Sequence, residues 1–222
     1  MLLDMYLKGL LKKQRKLSYG RMDLASTNTV CSSAKETYDS FNVNVFGILN
    51  VTRAVLPYMR KQRSGVIAQF GSIGSWHGTA GGGIYCGTKW AMSGLTESLR
   101  AEVGPLGIQV CCVEPGYFRT GFLNPGARMQ TETRLQDYDD TAVGQVRALF
   151  EERNNKQLGD IEKGCKVLFE VLTKKSGKDV PMRLVLGSDG YDSIKGKCDE
   201  TKELLEDWKE VICSTDHEEK FY

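Results

Sequence analysis

The chain has 222 residues, 41% of them hydrophobic, and a formal net charge of +2 at pH 7: enough for one large domain with a substantial core, without the basic excess of a nucleic-acid binder. Seven scattered cysteines with neither metal spacing nor a framework of pairs point to reduced thiols in a cytoplasmic protein. Two isolated histidines give no support to a metal site or a histidine-based triad, and no apolar run approaches a membrane span.

Residues 1–32 divide from the rest as a basic, irregular N-terminal segment. Lys8, Lys12, Lys13, Arg15 and Lys16 lie among leucines there, a pattern open to reading as an amphipathic helix, a targeting peptide or a membrane-surface element. The main domain is expected over 33–222. Ser33 with Glu36 three residues on is a capping box, so a helix starts there. Apolar residues from Tyr38 to Met59 carry it at helical spacing to about Arg63, with Pro57 late in it. Asn44 is a polar amide between Val43 and Val45 inside this helix. After the Ser64-Gly65 break, Val66–Phe70 reads as a short buried strand.

A glycine-rich loop follows, from Gly71 to Gly83. It closes with no Gly-Lys-Ser/Thr and opens no helix with G-x-G-x-x-G, so it reads as a permissive turn rather than a phosphate cradle. Ile84–Val103 is a second long helix, with Trp90, Ala91, Leu95, Leu99 and Val103 as its apolar face and Gly104-Pro105 as its stop. Ile108–Val113 is the next buried strand and Pro115-Gly116 turns the chain at its carboxyl end. Gly121–Asp140 is polar and irregular, suited to a flap. Helices are expected at Thr141–Asn154 and, from an Asp160 cap, Ile161–Thr173. Arg183–Leu186 is a third strand, Ser188 caps a last helix reaching Trp208, and the tail from Ser214 frays. Strands alternating with helices imply a parallel α/β sheet with helical crossovers. Its ligands are expected beyond the carboxyl ends of the strands, where Ser72 and the Pro115–Thr120 loop both fall.

The chemistry concentrates between Ser72 and Lys89. Tyr85 and Lys89 are four apart and project from one helical face. Ser72 ends the preceding strand, and the glycine-rich loop can bring it opposite Tyr85. A phenol with a reference pKa near 10 is a poor acid-base catalyst at neutral pH unless its anion is stabilised. Lys89, one turn away, offers that stabilisation, and Ser72 can hold a substrate oxygen. Tyr191 and Lys195 repeat the four-residue spacing, but without the serine after a strand.

Asn44-Val45-Phe46-Gly47, Gly71-Ser72-Ile73, Tyr85-Cys86-Gly87-Thr88-Lys89 and Pro115-Gly116-Tyr117-Phe118-Arg119-Thr120 resemble, in order and spacing, the motifs of the short-chain dehydrogenase/reductase family. Gln157-Leu158-Gly159-Asp160 and the stretch from Arg183 to Asp189 resemble its fungal-type members. The resemblance implies the C-terminal part of a doubly wound, Rossmann-like parallel sheet with helices on both faces. It implies an NAD(P)-dependent oxidoreductase, with NADP placed ahead of NAD, interconverting a ketone and a secondary alcohol by hydride transfer. By the same likeness Tyr85 is the general acid/base, Lys89 supports both the phenolate and the nicotinamide ribose, and Ser72 polarises the substrate carbonyl. Asn44 holds a proton-relay water, and Phe118 and Thr120 contact the nicotinamide. The partner expected is a small carbonyl or alcohol substrate, with neither nucleic acid nor membrane, and homo-oligomer formation is left open.

The family's glycine-rich pyrophosphate turn is absent from the 43 residues before Asn44. The expectation is therefore a chain shortened at its N-terminus. Weak dinucleotide binding and an open sheet edge beside Val66 follow from that. A non-enzymatic remnant that binds a partner is the alternative.

Overall fold

The computed structural model describes residues 33–124 and 134–217. The expectations for residues 1–32, for the middle of the flap and for the last five residues lie outside them. Helix α1, Ala34–Phe41, opens on the expected reciprocal cap: Glu36 N donates to Ser33 Oγ at 3.2 Å and Ser33 N donates to the Glu36 carboxylate at 2.6 Å. The helix then widens into a π turn at Asn42–Phe46 before continuing as α2, Gly47–Gln62, with Pro57 inside it. Arg63 closes it in the left-handed region. Strand β1 is Gly65–Phe70, helix α3 is Gly83–Val103 and strand β2 is Ile108–Pro115. Thr141 and Asp160 cap helices α4, Ala142–Arg153, and α5, Ile161–Leu172, each accepting from a backbone N–H of the first turn. Strand β3 is Arg183–Leu186, followed by α6, Ser188–Asp207, and α7, Lys209–Cys213.

The described strands form one parallel sheet in the order β1-β2-β3, with Val66 beside Gln109, Phe70 beside Val113, and Pro115 beside Leu186. Alternation along each strand sends side chains to two cores. Ile67, Ile108 and Val110 meet Val103, Leu56 and Met59 of the α2 and α3 side. Cys111, Val113 and Leu184 meet Leu168 and Leu172 of α5 on the opposite face. The central strand is therefore buried on both faces, which is why its sequence reads as a near-continuous apolar run. Among the described residues β1 is an edge strand, with Val66 and Phe70 exposed.

Two expectations change. Trp90 does not sit on the buried face of α3: it is 51% exposed, and the face turned to the sheet is Tyr85, Thr88, Lys89, Met92, Ser93 and Thr96. These polar groups tolerate burial because they are bonded. Thr96 Oγ1 donates to Gln69 Oε1 at 2.6 Å, and Gln69 Nε2 donates to Thr52 Oγ1 at 3.2 Å, a polar strut from α3 through β1 to α2. Ser188 does not cap α6 but is its first residue, with Gly187 (φ +96°) before it. The neighbouring Asp189 instead turns back to accept from Tyr117 N at 2.7 Å.

Candidate active site

The carboxyl ends of all three strands, at Phe70, Pro115 and Leu186, open onto a cavity of about 350 Å³, where an open parallel sheet binds its ligands. Ser72, Tyr85, Phe118 and Thr120 line it. Lys89 and Asn44 are not in its wall. Lys89 is fully buried, and its Nζ donates to Phe70 O at 2.9 Å, 5.5 Å from the centre of the Tyr85 ring.

Ser72 is placed by the turn that follows β1. Its Oγ accepts from Gly74 N at 3.1 Å, and its own N–H donates to Ser75 Oγ at 3.1 Å. Ser75 in turn donates to Lys89 O at 3.0 Å, so the turn is fastened to the helix that carries the tyrosine and lysine. Gly71 allows this close approach: a Cβ there would lie 2.8 Å from Cys112 Sγ. Trp76, next in the turn, donates from Nε1 to Glu114 Oε2 at 2.9 Å. Arg183 pairs with Glu114 Oε1 at 2.5 Å and lies over the Trp76 ring at 4.7 Å. The buried Glu114 also accepts from Ser93 at 3.0 Å. Glu114 and Arg183 thus clamp the serine-bearing loop to β2 and β3. Their signal in the sequence was an acid in a mostly apolar strand and a base opening another.

Electrostatics in the free site run opposite to the simple expectation of a lowered phenol. Burial pushes the Tyr85 hydroxyl up to about 12, only partly offset by its hydrogen bond with Ser72. Burial likewise pulls the Lys89 ammonium down to about 8, against the opposing influence of Cys112. Desolvation penalises the charged form of each group, and it outweighs the hydrogen bond of Ser72 to the phenol and the charge of Cys112 near the ammonium. The ligand-free site therefore holds a neutral phenol beside an ammonium whose proton is held loosely.

Asn44 lies in the π turn, buried, its Nδ2 donating to Ser40 O at 3.1 Å. The π turn packs on α3, the helix of Tyr85 and Lys89. Thr120 Oγ1 accepts from Phe122 N at 3.3 Å. The Phe118 segment is bridged to Gly159, with Arg119 N donating to Gly159 O at 2.9 Å and Gly159 N to Tyr117 O at 3.0 Å. A Cβ at Gly116 would come within 2.3 Å of Asp189 Oδ1, so a side chain there would displace Asp189. The repeated spacing at Tyr191 and Lys195 forms no site: Tyr191 is exposed on α6, and Lys195 pairs with Asp199 at 2.6 Å. Among the described residues no cluster of three His, Cys, Asp or Glu could hold a metal, and no helix is long and apolar enough to cross a membrane.

The sequence profile of short chain dehydrogenases matches residues 20–131, half of the chain. A 3-ketodihydrosphingosine reductase of Bacteroides thetaiotaomicron is 35% identical over 144 residues, 61% of this chain and 54% of that protein. The oxidoreductase BOA17 of the fungus Botryotinia fuckeliana is 29% identical over 201 residues, 87% of this chain and 71% of that one. The chain thus spans about half the length of the first of these relatives. Among solved structures, a short-chain dehydrogenase from Streptomyces avermitilis superposes with a TM-score of 0.75 at 34% identity, covering 90% of this chain and 70% of its own. A short chain dehydrogenase/reductase from Burkholderia phymatum in complex with NAD shares the fold, at a TM-score of 0.63 and 17% identity over 90% of this chain and 67% of that one. Motif order, a parallel sheet with helices on both faces and these likenesses agree: the chain belongs to the short chain dehydrogenase family.

Proposed function

We propose that the chain forms the catalytic part of an NAD(P)-dependent oxidoreductase that interconverts a ketone and a secondary alcohol. The observation that carries this reading is the convergence of Ser72, Tyr85 and Lys89 at the rim of a parallel sheet, beside a largely apolar cavity. The intact set argues for an enzyme over a non-catalytic remnant.

The residues present fit the nicotinamide end of such a cofactor. The cavity wall offers Pro115, Gly116 and Phe118 as flat, mostly apolar surface, and carries no lysine or arginine to pair with phosphate. Thr120 uses its oxygen to accept from Phe122 N, which leaves its hydroxyl proton for a carboxamide oxygen. When bound, the nicotinamide supplies or takes the hydride at the carbonyl carbon. Tyr85, neutral at working pH, gives its proton to the carbonyl oxygen as negative charge grows there, and takes it back in the reverse direction. Ser72 polarises the same oxygen by a hydrogen bond. The phenolate left behind lies near Lys89, buried behind the wall, whose attraction counts for more in poorly solvated surroundings than it would in water. Asn44, on the π turn behind this helix, completes the set as a proton-relay residue.

The test is turnover of a neutral ketone with NADPH or NADH. Tyr85→Phe removes the transferable proton with little change in packing, so turnover falls by about a hundred- to ten-thousand-fold, while Tyr191→Phe leaves it unchanged. Full activity in Tyr85→Phe overturns the assignment.

A further inference from the structure

Gln157 lines the cavity from the connection between α4 and α5, and the residue is 5% exposed. Neither Oε1 nor Nε2 makes a hydrogen bond within the protein. Burying an amide without partners is costly, and such groups are rare in folded proteins. Nor is the residue loosely placed. Its carbonyl accepts twice from the Arg119 guanidinium, from Nε at 3.3 Å and from Nη2 at 3.1 Å. Two residues on, Gly159 is laddered to the Tyr117–Arg119 segment. A Cβ on Gly159 would lie 2.6 Å from the Phe118 ring, so the backbone here is held against the loop that borders the site. The backbone carbonyl is engaged while the side chain is left without a protein partner at a binding wall.

The rest of the wall restricts what the amide can meet. Phe70, Phe122, Leu123, Phe150, Ile161 and Leu168 make it largely apolar, and besides the His77 imidazole it contains no basic side chain and no carboxylate. A cationic substrate would lose its hydration there without gaining a carboxylate, and an anionic one would find only His77. Ser72 and Thr120 already have backbone or side-chain partners, whereas Gln157 offers a donor and an acceptor together.

We infer that Gln157 is a specificity-determining residue whose carboxamide reads a neutral hydrogen-bonding group, a hydroxyl or an amide, on an otherwise hydrocarbon ketone or alcohol. This rests on the oxidoreductase reading for the identity of the reacting group. The substrate is then an apolar carbonyl compound with a second polar function, and a ketone that lacks it leaves the buried amide unpaired in the complex.

The experiment compares methyl octyl ketone with its positional hydroxy-isomers, using the full chain and measuring binding by calorimetry with turnover alongside. At least one hydroxy-isomer binds about ten- to a hundredfold more tightly than the parent ketone. Gln157→Met abolishes that preference, keeps the affinity for the parent ketone and leaves NADPH binding unchanged. Because the substitution removes an unpaired buried amide, the ligand-free variant also melts at a higher temperature than wild type. The inference is overturned if no ketone binds, if wild type does not discriminate, or if the variant still does. It is equally overturned if the variant melts lower, which marks a structural role, or loses NADPH affinity, which marks a cofactor contact. Tyr85→Phe separates the two readings: it keeps the hydroxyl preference in binding while turnover is lost. A preference in wild type without any turnover refutes the oxidoreductase reading and leaves the role of Gln157 standing.

Discussion

Replacing Lys89 with methionine tests whether the site is held together at a cost to the fold. Burial lowers this ammonium from 10.5 to about 8. At about 1.4 kcal/mol per unit, that is a penalty of about 3 kcal/mol on the folded state wherever the lysine is protonated in both states. The sign follows from proton counting. Below about pH 8 folded and unfolded chains both carry the proton, and the full penalty applies. Between about 8 and 10.5 the folded chain has released it and the unfolded chain has not, so stability rises with pH. Lys89→Met removes the buried charge but orphans the Phe70 carbonyl, which now accepts at 2.9 Å, returning about 1–2 kcal/mol. The variant is expected to be about 1–2 kcal/mol more stable than wild type at pH 7 and to lose that advantage by pH 10. The Cys111 thiol, pushed up to about 11 by burial, titrates with the opposite sign over part of the same range. The measurement is therefore the difference between wild type and variant in urea denaturation across pH 7–10. A constant difference across that range refutes the argument, as does a variant less stable than wild type at every pH.

Four other outcomes follow. Tyr85, raised from 10.0 to about 12, favours the folded state below pH 10 and loses that advantage as pH rises towards 12. In alkaline unfolding, Tyr85→Phe should hence lose less stability than wild type over that interval, by up to about 3 kcal/mol. Arg183→Met strands the buried Glu114 carboxylate and should cost about 3–5 kcal/mol by chemical denaturation, whereas exchanging Lys195 for Met should cost under about 1 kcal/mol because its partner Asp199 is exposed. Ser75→Ala cuts the link from the Ser72 turn to Lys89 O, and turnover should fall more than the melting temperature predicts. Gly116→Ala drives a methyl group into Asp189 and should destabilise by about 1–3 kcal/mol, with partial recovery in Gly116→Ala/Asp189→Ser as checked by calorimetric melting.

Element identity was legible where a local rule and the tertiary contact agreed. The Ser33–Glu36 box and the Asp160 cap each bond their own first turn, and such bonds need nothing distant. Tyr85 and Lys89, four residues apart, fall in one helix for the same reason. Trp90 failed because hydrophobicity alone does not choose a helix face: the face against the sheet goes to Thr88, Ser93 and Thr96, each bonded inside the protein. The pKa directions of Tyr85 and Lys89 were illegible too, since they depend on how much water the folded wall excludes. Gln157 was visible only as part of a motif, because a partnerless amide can be recognised only after its surroundings are known.

The π turn at Asn42–Phe46 bears on how this helix came to carry a site. Such a turn holds one residue more than an α-helical turn, as a single-residue insertion would leave behind. The wide turn absorbs that residue locally, so the helix before and after it keeps the facing of an unbroken α-helix one residue shorter. Ser40 and Thr52, buried on the two sides of the turn, would stand about 120° apart in an unbroken α-helix of this length but stand about 20° apart once the extra residue is absorbed, so the wide turn lets a helix that buries Ser40 also aim Thr52 at Gln69. The irregularity is thus a frame setting: a change that forced this turn into α geometry at the same length would rotate everything beyond it by about 100°, whereas losing one residue here would leave the two flanks in register.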